Sequence, residues 1–256
     1  MIQYYPGHMA AAMRKLAERV RLIDVIVEVI DARIPAAGSN TALEQMSPST
    51  PRLIVLTRAD LADAESTQRW LSWYESERRA ALALDARRRG SFSALKREMT
   101  RLAGEARLAR AMVVGIPNAG KSTVINGLVG RSAARVENRA GVTRAPQWFR
   151  LSRGLEVMDT PGILVPKIES PEAGWHLAAC GALPRARFDP EEVVGQLTAA
   201  RPDLPRLERF AEGRRIVRAR GEPDLHNAAL AFLREFDEGR FGRISLEEPP
   251  ASGGGQ

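Results

Sequence analysis

Residues 111–129 read AMVVGIPNAGKSTVINGLV, an apolar strand running into a glycine-bounded loop that opens a helix. Gly115, Gly120, Lys121 and Ser122 fit the spacing G-x4-G-K-S. In that arrangement backbone N–H groups cradle nucleotide phosphates, the lysine neutralises them and the hydroxyl ligates magnesium. Ala119, Gly120, Lys121, Ser122 and Thr123 are therefore candidate nucleotide contacts, with Lys121 also a catalytic candidate. The bland alternative is a glycine turn at a strand–helix junction, and a strand before the loop with a helix after it argues against that.

At 256 residues and 44% hydrophobic content, the chain can bury a full core and has room for one large domain and a smaller one. Cys180 is the single cysteine, which excludes an intramolecular disulfide framework and fits a reducing compartment. No apolar run approaches the length of a membrane span, and the start MIQYYPGHMA lacks a basic region followed by an apolar core. A cytoplasmic protein with no membrane partner is expected. Net charge is +7, carried almost entirely by arginine, the lysines being Lys15, Lys96, Lys121 and Lys167. Guanidinium forks suit phosphate, which favours a polyanionic partner; arginine-rich codon usage accounts equally well for most single arginines.

Upstream of the phosphate loop, residues 4–21 begin with a Pro-Gly turn and continue as a leader helix with a basic face. Residues 24–30, DVIVEVI, read as a strand ending in the turn Asp31-Ala32-Arg33-Ile34-Pro35, and residues 52–56, RLIVL, as a strand leading into Thr57-Arg58-Ala59-Asp60. A helix over 65–79, a strand over 80–84 followed by Asp85 and Ala86, and a helix over 91–107 complete the approach. Downstream lie a polar stretch, Glu137 to Pro146, and two adjacent strands over 147–151 and 155–158. Alternating strands and helices predict an α/β fold with a mostly parallel sheet. The texture then turns helical. The expected division is a nucleotide-binding domain over 1–174, a small all-α domain over 175–243 and a disordered tail over 244–256.

A GTPase needs parts beyond the phosphate loop. Thr143, in a polar segment, suits the threonine that completes the magnesium shell and senses the γ-phosphate. Asp159, in Asp159-Thr160-Pro161-Gly162, suits a magnesium-holding carboxylate, and the Gly162 N–H could meet the γ-phosphate. Asp60 could accept from guanine N1–H and the exocyclic amine, donors that adenine lacks, or it could simply cap the helix that follows. The order of these parts is informative. In a common GTPase order the phosphate loop, the threonine loop and DxxG come first. A strand ending in an aspartate turn, the base-reading aspartate and an alanine facing guanine O6 come afterwards. Here Asp31, Asp60 and Ala86 precede the loop, so the chain reads as a circularly permuted P-loop GTPase domain. A parallel sheet tolerates this, because it depends on which strands are neighbours.

At this level the chain resembles the ribosome biogenesis GTPase A family, also called YlqF. The resemblance rests on Tyr5-Pro6-Gly7-His8-Met9, Asp31-Ala32-Arg33-Ile34-Pro35 with Asn40, Gly115 through Ser122, Gly141-Val142-Thr143, Asp159 through Ile163, and Leu177-Ala178-Ala179-Cys180-Gly181. It implies a GTP-hydrolysing assembly factor for the large (50S) ribosomal subunit, slow until the ribosomal particle activates it, with rRNA as partner and GTP, GDP and Mg2+ as ligands. It further implies His8 as the group that orients the attacking water, since Ile163 stands where many GTPases carry glutamine, and Asn118 as a ligand of K+. A monomer is expected.

Two positions depart from the family pattern. Thr57-Arg58 replaces Asn-Lys before Ala59-Asp60, and Asp85 replaces a serine before Ala86. Loss of the asparagine is expected to remove a hydrogen bond to the base or to the phosphate loop, while the Arg58 guanidinium can lie on the purine face. Two rival readings follow: a GTP-gated rRNA-binding placeholder with incidental hydrolysis, and a purine NTPase with relaxed base choice. The cluster Arg214, Arg215, Arg218 and Arg220 is the expected contact to rRNA phosphates.

Overall fold

The apolar runs assemble into one sheet. The computed structural model describes residues 20–40, 47–104, 108–130, 147–152, 154–160, 168, 170–218 and 221–251. Its strands are β1 (Val25–Asp31), β2 (Arg52–Thr57), β3 (Ala80–Leu84), β4 (Ala109–Val114), β5 (Gln147–Ser152) and β6 (Leu155–Asp159), in the order β3-β2-β1-β4-β6-β5. All neighbours pair in parallel except β5 and β6, which run antiparallel. The strand that enters the phosphate loop, β4, lies between β1 and β6. Strands that precede it in the chain extend the sheet on one side, and those that follow extend it on the other. Neither block threads through the other, so the same sheet forms whichever block is synthesised first.

Alternation along the strands fills two clusters on opposite faces. Leu53 and Val55 join the large cluster with β4 and the helical region, whereas Ile54 and Leu56 join a smaller one with Ile30 and Trp70. Trp70 comes from α2 (Ala64–Ser76), whose buried positions Ser66, Thr67, Trp70 and Tyr74 share one helical face. The side chain of Asp63 caps this helix by accepting from Ser66 N at 2.8 Å, so Asp60 is not the cap. A one-turn helix, α1 (Pro35–Gly38), follows β1 where only a turn was expected; α3 (Arg89–Ala103) and α4 (Lys121–Val129) complete the α/β part.

The remaining helices are α5 (Pro171–Ala179), α6 (Pro190–Ala200), α7 (Leu207–Gly213) and α8 (Leu225–Asp237). Ser170, Asp189 and Asp224 cap α5, α6 and α8 through side-chain oxygens. Phe232 of α8 stacks against Phe210 of α7 and Phe241, with ring centroids 4.9 and 4.6 Å away. Leu177 and Ala178 of α5 share their core cluster with both β4 and α8. Packing is therefore continuous across residue 174.

The expectation of a disordered tail from residue 244 is corrected for its described part, 244–251. Ile244 is buried, and the N–H groups of Ile244 and Leu246 donate to Leu61 and Arg33 carbonyls, each at 2.9 Å. Glu247 accepts from Ala36 N at 2.6 Å and from Ala37 N at 3.2 Å, capping α1, and meets Nδ1 of the buried His176 at 2.7 Å. Glu248 takes a two-pronged bond from Arg69. Proline and glycine composition suggested disorder, but each residue of 244–248 has a hydrogen-bond partner far away in sequence. Glu247→Ala is expected to lower the unfolding free energy by about 2 kcal/mol, because it strands two helix N–H groups and a buried imidazole. Urea denaturation of the two proteins measures it.

Candidate functional site

The phosphate loop owes its shape to close approach and left-handed backbone. Gly115 leaves β4 with φ +151, and a Cβ built there would lie 2.2 Å from the Val29 carbonyl oxygen, so the crossing with β1 admits only glycine. Asn118 (φ 59) and Gly120 (φ 92) then curl the loop into α4. No side chain caps α4. Its first N–H groups and the positive end of its dipole are thus available to an anion.

Lys121 lies inside this curl, with Nζ donating to Ile116 O at 2.8 Å. Burial pushes its ammonium down to about 8, against the pull of the Asp159 carboxylate. Asp159 is buried at the end of β6, and Thr160 Oγ1 fixes the exit of that strand by donating to Val113 O at 2.7 Å. Ser122 and Thr123 occupy the first turn of α4. Ser122 and Asp159 are hard oxygen donors beside a phosphate cradle, a set that fits a magnesium ion sharing its shell with phosphate oxygens. Among the described residues, no group of three or more His, Cys, Asp or Glu could hold a metal ion by protein ligands alone.

The base-reading block is joined to the phosphate loop by direct bonds. Thr57 Oγ1 lies 2.6 Å from Ala119 O and 3.0 Å from Ile30 O. The hydrogen bond to the loop expected to vanish with the missing asparagine is thus made by the threonine hydroxyl. Arg58, expected to lie on the purine face, is held by the protein itself. Its guanidinium donates to Asn118 O at 3.3 Å, pairs with the Asp237 carboxylate and lies 3.7 Å from Asp31 Oδ2. Arg58 is therefore a tie between the phosphate loop and α8.

Behind it, Asp31 and Arg33 form a two-pronged buried pair, at 2.7 and 3.0 Å, and Arg33 also reaches Asp237 at 3.0 Å. Burial alone would push the Asp31 carboxyl up, but the charge and hydrogen bonds of Arg33, with Arg58 beyond, hold it below the usual carboxylate range. Removing either member would leave the other buried charge with one remaining partner, Asp237 for Arg33 or Arg58 for Asp31.

Asp60 sits on the turn after β2. Its carboxylate is 17% exposed and pairs with Arg87, itself 72% exposed. Arg87 follows Ala86, and Asp85 Oδ1 accepts from Arg87 N at 2.9 Å, an Asx turn that presents Ala86 at the surface. The aspartate thereby makes the local bond a serine would make. Asn118 donates its amide to Gly181 O at 2.6 Å, tying the loop to the segment after α5. His8, Thr143 and Gly162 lie outside the described residues.

The structure thus brings Thr57, Arg58, Asn118, Ala119, Gly120 and Lys121 together, with Asp159 on the neighbouring strand and Asp60, Asp85 and Ala86 on the adjoining turns. Sequence reasoning missed Asp237 and Arg33 as parts of this wall. Only the buried-strand context of Asp31-Ala32-Arg33 signalled a paired arginine. The expected rRNA cluster is partly committed elsewhere, since Arg214 donates twice to Glu235, at 2.8 and 2.7 Å. No described helix is long and apolar enough to cross a membrane.

A family model described as 50S ribosome-binding GTPase matches residues 110–182. Ribosome biogenesis GTPase A of Priestia megaterium is 33% identical across 97% of this chain and 97% of its own length. Its namesake from Thermotoga maritima is 31% identical across 97% of this chain and 95% of its own. The solved GNP-bound YlqF from T. maritima superposes with a TM-score of 0.76 at 29% identity, covering 93% of this chain and 98% of that one.

Proposed function

Because this chain belongs to the ribosome biogenesis GTPase A family, a family of guanine-nucleotide-binding GTPases of ribosome biogenesis, we propose that it acts on the large ribosomal subunit, hydrolysing GTP slowly alone and faster on the particle. The observation that carries this reading is the bond between the two blocks, Thr57 Oγ1 to Ala119 O. It sets a carboxylate turn beside a phosphate cradle, so that one nucleotide can span both. Asp60 would accept from guanine N1–H and N2, and Ala86 N–H would meet O6. Lys121 and the first turn of α4 would bind the β- and γ-phosphates, and Gly162 the γ-phosphate. Ser122, Asp159 and Thr143 would hold Mg2+, which spreads the negative charge of the phosphates.

In the reaction, water attacks the γ-phosphorus in line, the bond to the bridging oxygen breaks, and GDP and phosphate leave. The protein's part is to position and to stabilise charge. Lys121 would stabilise the charge that grows on the bridging and γ-oxygens. His8, at the other end of the chain, would orient the water in place of the absent glutamine. Asn118 would offer Oδ1 to K+, its Nδ2 being engaged by Gly181 O.

Ile163 favours one rival, a placeholder whose GTP hydrolysis is incidental. Turnover of GTP and ATP with and without purified large subunits, in potassium and in sodium, separates the two. The assembly-factor reading expects GTP turnover to rise at least tenfold with subunits. Unchanged turnover would leave the placeholder.

A further inference from the structure

The turn that carries Asp60 is held from the far end of the chain. Arg243 donates from Nε to Ala62 O at 2.7 Å and from Nη2 to Ala59 O at 3.0 Å. Ile244 N donates to Leu61 O at 2.9 Å. Gly239, with φ +74, packs so tightly that a Cβ on it would lie 2.5 Å from Leu61 Cδ2. Asp237 takes the Arg58 guanidinium. Every residue within two positions of Asp60 is therefore bonded to, or packed on, residues 237–244.

This turn has no strand partner of its own, and it begins with Arg58 in the left-handed region at φ 53, an unfavourable conformation for a residue with a Cβ. Its own bonds close it, Leu61 N and Ala62 N donating to Arg58 O at 2.8 and 3.2 Å, and the contacts from 237–244 fix which way it faces. Two-pronged recognition of a base edge requires the carboxylate to be held to within about 0.5 Å. A planar guanidinium fork spanning two carbonyls three residues apart supplies that restraint, and the buried Ile244 anchors the fork. The carboxylate of Asp60 is not part of this scaffold; it faces Arg87 at the open side.

We propose that Arg243 is a positioning residue for guanine recognition, fixing the Ala59–Ala62 turn so that Asp60 meets both donors of the base. The inference rests on Asp60 being the guanine acceptor. It has a corollary: linkage is reciprocal, so bound guanine strengthens the docking of 237–244, and a partner that pulls this segment away weakens guanine binding by the same factor.

The test is titration of the full-length protein with fluorescent GDP and competition by IDP, whose base lacks the exocyclic amine. Arg243→Ala should weaken GDP by about three- to tenfold, weaken IDP less and so narrow the GDP:IDP ratio, with kcat for GTP at saturation unchanged. Arg243→Lys, which can hold one carbonyl but not both, should fall between. Arg69→Ala, which breaks the contact to Glu248 in the same C-terminal stretch but away from the turn, should keep the wild-type ratio. A wild-type ratio in Arg243→Ala, or equal losses for both nucleotides, would overturn the inference while leaving Asp60 as acceptor. A wild-type protein that does not distinguish GDP from IDP would overturn both.

Discussion

Asp60→Asn is expected to weaken GDP and GTP binding by about a thousandfold and to make xanthosine diphosphate the preferred ligand. A carboxylate offers two acceptors to guanine N1–H and N2, whereas an amide offers one acceptor and one donor. The donor would face the exocyclic amine. Two charge-assisted bonds are lost and a buried donor is left without a partner, each costing about 1.5–3 kcal/mol in a pocket built for the contact. Xanthine carries a carbonyl where guanine carries that amine, so the same amide donor finds an acceptor.

Folding should be little affected, because among the described residues the ion pair removed is with Arg87, an exposed side chain in a class of contact worth under about 1 kcal/mol. Titration of both diphosphates against wild-type and Asp60→Asn proteins gives the answer. A variant that still binds GDP within threefold of wild type would remove Asp60 from the pocket, and the guanine reading with it.

Much of this pocket is legible in sequence because its parts are local. The β-branched run 25–31 and the glycine spacing 115–122 each carry their own pattern, and their order discloses the permutation before any strand is placed. What the sequence conceals is contact between distant residues. Nothing near Glu247 says that its carboxylate caps a helix beginning at Pro35, since the bond spans more than two hundred residues and leaves no periodicity. Composition misled there, because a prolyl and glycyl stretch suggests disorder only when its polar groups have no partners.

Arg58 illustrates a second limit. A basic residue before the base-reading aspartate suggests stacking on the purine, yet Asp31 and Asp237 present two carboxylates to it, and electrostatics in a half-buried wall outweighs a contact made only with ligand bound. Thr57 shows the reverse case. The replacement read as a loss, but a hydroxyl close to the loop reaches the carbonyl of Ala119. Asp60 shows a third: it could have capped the helix that follows, but that helix begins at Ala64, and Asp63, not weighed for the role, accepts from Ser66 N.

Lys121→Met is expected to abolish useful nucleotide binding and, at the same time, to stabilise the nucleotide-free protein. Lys121 is buried, and burial brings its ammonium to about 8, below the ordinary lysine value. A folded-state value below the unfolded one means that folding disfavours the charged form. That penalty is fully present below pH 8 and fades as pH rises from 8 towards 10.5, where the unfolded chain also loses its proton. Methionine fills a similar volume without charge.

At pH 7 the variant should therefore be more stable by about 1–3 kcal/mol, less the lost bond to Ile116 O, and the advantage should vanish near pH 10.5. Bound phosphates reverse the balance, because oxyanions around Nζ favour the ammonium. Above about pH 8 wild-type protein must take up a proton to bind GDP, so its Kd should rise with pH, approaching tenfold per unit. The variant should bind at least a hundredfold more weakly at pH 7 and show no such slope. Denaturation at pH 7 and 10, paired with GDP titration at the same pH values, separates the two effects. A variant that is no more stable at pH 7 would mean that Lys121 is comfortably solvated, and retained GDP affinity would mean that the loop binds phosphate through its backbone alone.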